Sequence, residues 1–198
     1  MKYIYKSILV AIVMIGGFSS CSDSNLAIDT LYDDVNTSGS ILRLLTTPED
    51  IIGLPGQTTF VTFLDFDIEV QQGDGSFPPE FVEVRMKIQI FKDQDASVPV
   101  EGAPQITIKT ILSSDFTETS EVNKLPMYQI SIPTEAIIAS YPEVQFPGVG
   151  FLVTNFELVM TELDADGNNI VWDSTNAGTT LSGPYMSSPF LWKTIFKF

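Results

Sequence analysis

Two stretches separated by a short link, residues 63–70 (FLDFDIEV) and residues 81–90 (FVEVRMKIQI), alternate apolar and polar side chains with a period of two. That period indicates β-strands with one buried face, because successive side chains of a strand point to opposite sides of the sheet. Asp65, Asp67 and Glu69 are predicted to face outward. The inward-facing residues predicted for the two strands are Leu64, Phe66, Ile68, Val70, Val82, Val84, Met86, Ile88 and Ile90.

The link between these strands, residues 71–80 (QQGDGSFPPE), is rich in glycine and proline, which is typical of a turn region. We therefore expect the two strands to form an antiparallel hairpin. Closing it symmetrically predicts three cross-strand pairs, which are Val70–Val82, Asp67–Arg85 and Asp65–Lys87.

Alternation of the same kind predicts about eight strands in the whole chain. The other segments are residues 105–112, 127–133, 150–163, 169–173 and 188–198. Residues 134–141 (TEAIIASY) favour the one short helix, with Thr134 as its cap and Pro142 at its end. One apolar face on each strand predicts an all-β, antiparallel, two-sheet β-sandwich over residues 41–198. A closed barrel is the alternative.

The charge of the chain excludes several functions. The sequence has 25 acidic and 10 basic residues, a formal net charge of −15, and no histidine. Nucleic-acid binding requires a face rich in lysine and arginine, so no nucleic-acid partner is expected. Without histidine, neither a Ser-His-Asp nor a Cys-His mechanism is available. No nucleophile elbow or phosphate-binding loop is present either, so we expect a protein that is not an enzyme and has no cofactor.

Residues 164–168 (DADGN) superficially suggest a calcium loop. An EF-hand loop, however, has glycine at its sixth position and glutamate at its twelfth, whereas Gly167 is fourth here and the twelfth residue is Thr175. Asp-Gly between two apolar strands is a strong hairpin signal. We therefore predict a hairpin turn and no metal site.

Aromatic side chains are the best candidates for ligand binding. Tyr185, Trp172 and Trp192 could stack on the faces of sugar rings if they are exposed. The alternative is core packing, which is the commoner use of large aromatic residues. Tyr185, in the glycine- and proline-containing segment 182–189, is the one expected at the surface.

The first 20 residues predict an export signal. Lys2 and Lys6 precede the apolar run 8–15 (ILVAIVMI), which is too short to span a bilayer as a helix. Residues 18–21 (FSSC) resemble a bacterial lipobox, in which the cysteine receives a diacylglycerol and the chain is cut just before it. The resemblance implies that Cys21, the only cysteine, is lipidated and anchors the protein to the outer membrane through acyl chains.

Three segments follow from this interpretation: a lipoprotein signal peptide at 1–20, a lipidated cysteine with a flexible tether at 21–40, and the β-domain at 41–198. The tether is rich in Ser, Asp, Asn and Thr without strand or helix periodicity. Asp23, close behind Cys21, resembles the surface-export signals of Bacteroidota lipoproteins. This favours the cell surface, with the periplasmic face of the outer membrane as the alternative.

Several short motifs of the mature chain resemble a family of small proteins. They are Asp33-Asp34, Gly39 with Leu42-Arg43, and Ser188-Pro189-Phe190. The family comprises small Bacteroidota lipoproteins encoded beside Sus-like pairs, each a TonB-dependent transporter and a substrate-binding lipoprotein. The resemblance implies an immunoglobulin-like sandwich that serves as an accessory subunit in the uptake of glycan or peptide nutrients. A structural or adhesive cell-surface subunit is the second hypothesis.

Overall fold

A computed structural model describes residues 40–56, 61–72, 80–175 and 190–198. Over these ranges the chain forms two β-sheets, which confirms the all-β prediction. The strands are not all antiparallel as predicted, because residues 51–53 pair in parallel with residues 195–197. The smaller sheet has the order β1 (Ser40–Thr46), β3 (Phe63–Gln72), β7 (Pro126–Pro133) and β6 (Glu118–Thr119). The larger sheet has the order β2 (Ile51–Gly53), β10 (Leu191–Lys197), β8 (Val149–Leu163), β4 (Phe81–Phe91) and β5 (Ile106–Leu112), with β9 (Asn169–Trp172) also paired to β8.

The predicted hairpin between β3 and β4 is wrong, because these strands belong to different sheets. Strand β3 pairs with β1 and β7, whereas β4 pairs with β5 and β8. The connection of residues 73–80 can extend to roughly 26 Å, and packed sheets are only about 10 Å apart. Crossing to the second sheet gives each strand two hydrogen-bonded neighbours, which a hairpin alone does not provide.

The predicted pairs Val70–Val82, Asp67–Arg85 and Asp65–Lys87 are absent for the same reason. Asp65 instead accepts a hydrogen bond from the Ser131 hydroxyl at 2.6 Å. Arg85 and Lys87 both contact Glu157, which β8 places directly opposite Arg85. The alternating charges of β4 therefore pair with the central strand of their own sheet.

The inward faces of β3 and β4 are otherwise as predicted. All four residues predicted to face inward on β3 and four of the five predicted on β4 are fully buried, namely Leu64, Phe66, Ile68, Val70, Val84, Met86, Ile88 and Ile90. Val82 is the exception, with 37% of its surface exposed, while Phe81 is buried. A register shift between Phe81 and Glu83 inserts an extra residue, and this β-bulge reverses the face on which Val82 lies.

Strand β8 is the central strand of the larger sheet. Its 15 residues pair with β4 along one edge and with β9 and β10 along the other. Phe156 from this strand meets Phe66 of the smaller sheet edge-to-face, with ring centroids 5.2 Å apart. The predicted hairpin from β8 to β9 is confirmed: Asp164 accepts hydrogen bonds from the backbone N–H groups of Asp166 and Asn168, and Gly167 has a φ of +80°.

The predicted helix forms over Thr134–Ala139 (α1), but Thr134 does not cap it. The N-cap is Pro133, and no side-chain cap bond is present. The buried Thr134 hydroxyl instead donates to the carbonyl of Gly53 at 2.9 Å. Thr134 thus joins the end of β7 in one sheet to β2 in the other.

Candidate functional site

The two tryptophans that were predicted to bind ligand lie on β9 and β10, the two strands that pair with the same edge of β8. Trp172 is opposite Leu158 and Trp192 is opposite Thr154, and both partners are inward-facing residues of β8. Directly opposed residues share a face, so both indoles point toward the space between the sheets. Both are half-buried and pack against the core, and neither indole N–H has a hydrogen-bond partner in the described part of the chain. The two rings therefore form part of the border of the core, and their faces are not free to stack on a ligand.

The other predicted site residues, Tyr185 and Cys21, lie outside the described residues. The same holds for the signal peptide 1–20 and for the tether, apart from Ser40. Segment 176–189, which includes Tyr185, links β9 to β10 and thus joins the strands that carry Trp172 and Trp192.

An open groove of about 610 Å³ lies elsewhere, at the end of β4. One wall comes from the β4–β5 connection and the other from the chain between α1 and β8. Its lining residues are Lys92, Val100, Glu101, Gly102, Glu143 and Gln145. The groove thus combines one amine, two carboxylates and an amide with the apolar side chain of Val100.

Buried Tyr141 holds the two walls of this groove together. Its one hydroxyl proton is shared between the carbonyls of Ile88 and Pro104, at 3.0 and 3.1 Å, and so ties the segment after α1 to β4 and to the end of the β4–β5 connection. Burial raises the pKa of the Tyr141 phenol to about 12. The neutral, donating form of the phenol is therefore the one that supports the groove.

Further contacts fix each wall. Val100 donates its N–H to the carbonyl of Ile90 at 2.9 Å, which holds the β4–β5 connection against β4. On the other side, the ring of Phe146 stacks on Phe198 with centroids 4.5 Å apart. The polar side chains that line the groove thus project from anchored backbone, which suits the recognition of a polar ligand.

Our prediction from the sequence did not include this groove. Its residues lie in two connections, 92–104 and 141–148, that carry no strand or helix periodicity. The available signal was the concentration of proline, glycine and glutamate in both segments, since binding residues are often found on loops held by a rigid scaffold.

A second polar cluster surrounds Glu69, which was predicted to face solvent but is fully buried. Its carboxylate pairs with the Arg43 guanidinium at 3.2 Å and accepts a hydrogen bond from the Asn123 amide at 2.7 Å. The cluster joins β1, β3 and the turn before β7. Arg43 and Asn123 both contact the same carboxylate oxygen of Glu69, so the cluster fastens three segments of the chain to one buried group.

No group of three or more acidic, cysteine or histidine side chains in the described segments is arranged to hold a metal ion. Within those segments, no helix has the length and apolar character needed to cross a membrane.

Comparisons with known proteins give no assignment. No protein-family model matches the chain, and no curated protein matches it either.

Proposed function

We propose that the chain is a lipid-anchored, non-enzymatic accessory protein of the outer membrane that binds ligand or partner within a nutrient-uptake complex. The observation that carries the proposal is Cys21, which directly follows an export-type apolar run and precedes a polar segment of tether composition. A cysteine in that context resembles a lipidation site, and several acyl chains give stable anchoring to a membrane.

The groove supports a binding role for the domain. A volume of about 610 Å³ lies within the range typical of small-molecule sites, roughly 300–1,000 Å³. Glu101, Glu143 and Gln145 can accept hydrogen bonds from hydroxyl or amine groups, while Lys92 can donate to a carboxylate or a hydroxyl oxygen. Glycans and short peptides, the nutrients of the proposed complex, carry these groups.

Binding is favoured over hydrolysis because of where the carboxylates lie. A glycosidase acid is kept protonated by an apolar, desolvated setting. Glu101 and Glu143 are both exposed at the rim of an open groove. We therefore propose recognition without catalysis, in an immunoglobulin-like sandwich that cooperates with a TonB-dependent transporter and its substrate-binding lipoprotein, at the cell surface rather than on the periplasmic face.

Metabolic labelling with an alkyne fatty acid tests the anchor. The unaltered chain should incorporate the label and fractionate with the outer membrane, and Cys21→Ser should abolish both. Ser24→Ala, a small change beyond the proposed cleavage point, is the matched control and should behave like the unaltered chain. Equal labelling and equal membrane partitioning of Cys21→Ser would refute the anchor.

A further inference from the structure

The groove at the end of β4 presents unpaired groups of both charges. The amine of Lys92 and the carboxylates of Glu101 and Glu143 line it together with the amide of Gln145. Within the described ranges, none of these four side chains takes part in an ion pair or a hydrogen bond. All four are exposed, so each is free to contact a ligand.

Each carboxylate projects from a β-turn. Residues 100–103 and residues 141–144 form two such turns, and in each the N–H of the last residue donates to the carbonyl of the first, at 3.0 Å and 3.1 Å respectively. Glu101 and Glu143 occupy central positions of these turns, where side chains point away from the closing hydrogen bond. The backbone that carries each carboxylate is therefore fixed.

The two turns contact each other beside their carboxylates. A Cβ added at Gly102 would lie 3.6 Å from a methyl group of Val144, which is an ordinary van der Waals distance. Glu101 and Glu143 directly precede these two residues, so the carboxylates lie where the two walls of the groove meet. Tyr141 keeps the turns together, because its hydroxyl proton is shared with the carbonyl one residue after the first turn. Two carboxylates on adjoining turns attract a cation together.

Lys92 lies apart from this pair of carboxylates. Its N–H donates to the carbonyl of Val98 at 2.8 Å, and Glu101 is three residues further along the chain from Val98. Three extended residues span roughly 10 Å, which is also the separation of the two termini of an extended tripeptide. The groove thus offers a positive group and a negative pair at about that separation.

We propose that the groove binds a short peptide through both of its free termini. The inference deepens the binding role proposed above and rests on it. The N-terminal ammonium of the peptide pairs with Glu101 and Glu143, and its C-terminal carboxylate pairs with Lys92. Gln145 adds an amide that can donate to, or accept from, the backbone of the peptide.

A neutral glycan satisfies the same groups less well. Its hydroxyl groups can donate to the carboxylates and accept from the lysine, but they leave three charges without a counter-charge when water is displaced. A peptide with free termini supplies both charges at the matching separation. Because electrostatic complementarity acts mainly on specificity, the groove should select for free termini.

Isothermal titration calorimetry on the purified full chain in detergent tests the choice of ligand. The probes are trialanine, N-acetyl-trialanine, trialanine amide and the neutral trisaccharide maltotriose. We expect trialanine to bind at least about fivefold more tightly than either blocked peptide, and maltotriose to bind more weakly still. The affinity for trialanine should fall as the pH rises above about 8, where the amine of the peptide loses its proton.

Two variants assign the termini to their partners. Glu101→Gln combined with Glu143→Gln should bind trialanine and N-acetyl-trialanine within about twofold of each other and still prefer trialanine to its amide. Lys92→Gln should show the reverse pattern. Glu121→Gln and Lys124→Gln, exposed changes on the turn before β7, are the matched controls and should keep both preferences. Circular dichroism establishes that each variant is folded.

Equal binding of trialanine and the two blocked peptides would overturn the proposal, as would preferences that survive in both groove variants. Tighter binding of maltotriose than of trialanine would also overturn it, but would leave the groove as the binding site of the proposed function. If none of the probes binds, the proposal and the binding role of the groove both fail. Labelling of Cys21 tests the membrane anchor separately, so its outcome does not depend on these results.

Discussion

Arg43 of β1 and Glu69 of β3 form an ion pair, 3.2 Å apart, in which the carboxylate is fully buried while the guanidinium side chain remains 43% exposed. Strand β1 directly follows the proposed tether and pairs with β3. The pair therefore fastens the first strand of the domain to its neighbour. The other carboxylate oxygen of Glu69, Oε2, has no hydrogen-bond partner within the described ranges. Arg43 is therefore the main source of compensation for the buried negative charge.

Arg43→Met should destabilise the domain by about 2 kcal/mol, because it leaves a buried carboxylate without its cation. Glu69→Gln in the same background should recover part of this loss, since an amide is less costly to bury than an unpaired charge. Urea denaturation of the two single variants and the double variant measures the coupling. Strictly additive losses would contradict the account of the pair.

Phe66→Ala should cost about 3–5 kcal/mol, because it opens a cavity at the contact with Phe156 between the sheets. Phe63 lies three residues earlier on the same strand and is 43% exposed, so Phe63→Ala is a matched control with an expected loss below about 1 kcal/mol. Denaturant midpoints compare the two variants. Equal losses would mean that Phe66 does not join the sheets as described.

Gly150→Ala should destabilise by about 1–3 kcal/mol through overpacking. A Cβ at Gly150 would lie 2.9 Å from the Phe198 ring and 3.2 Å from the carbonyl oxygen of Phe91. Gly148, two residues earlier, has open space around the same position, so Gly148→Ala should be neutral or slightly stabilising. Thermal unfolding of both variants tests the close approach of the C-terminal strand, and a tolerated Gly150→Ala would count against it.

Tyr141→Phe should cost about 1–2 kcal/mol at neutral pH, because two carbonyls lose their shared donor. The folded pKa of about 12 lies above the usual value of 10.0. The contribution of the phenol is therefore complete below about pH 10 and is lost as the pH rises toward about 12. The difference in unfolding free energy between the unaltered chain and Tyr141→Phe should shrink over that range.

Tyr128→Phe, a change in a half-buried ring of β7, is the control for this series. The change should alter stability at neutral pH by less than about 0.5 kcal/mol. A Tyr141→Phe difference that stays constant from pH 9 to pH 12 would contradict the buried, hydrogen-bonded phenol.

Burial of a residue is visible in the local sequence pattern, whereas the pairing of strands depends on contacts between distant segments. Leu64, Phe66, Ile88 and Ile90 were assigned to the core correctly because burial on one face of a strand produces a period of two in the sequence itself. The choice of partner for β3 was wrong because it depends on how two apolar faces meet across the core. Val82 was misassigned because a β-bulge shifts the register without altering the apolar pattern.

Among the candidate sites too, some features are visible in the local sequence pattern and others depend on contacts between distant segments. The alternation at Trp172 and Trp192 indicated inward packing as one alternative, and both rings lie against the core. The groove beside Glu101 and Glu143 brings together two connections about 40 residues apart, a proximity that follows from strand pairing and not from any local pattern. Glu69 shows that a local pattern can also mislead. Its place in the alternation predicts an outward side chain, but its carboxylate is buried in contact with Arg43 and with the amide of Asn123.

The central claim is membership of a membrane-bound uptake complex, and affinity purification of the tagged chain from outer membranes of a Bacteroidota cell tests it most directly. Quantitative mass spectrometry should recover a TonB-dependent transporter and its substrate-binding lipoprotein with the unaltered chain and lose both with Cys21→Ser. Recovery of pilus-like or matrix proteins in their place, or recovery of neither transport protein, would contradict the account.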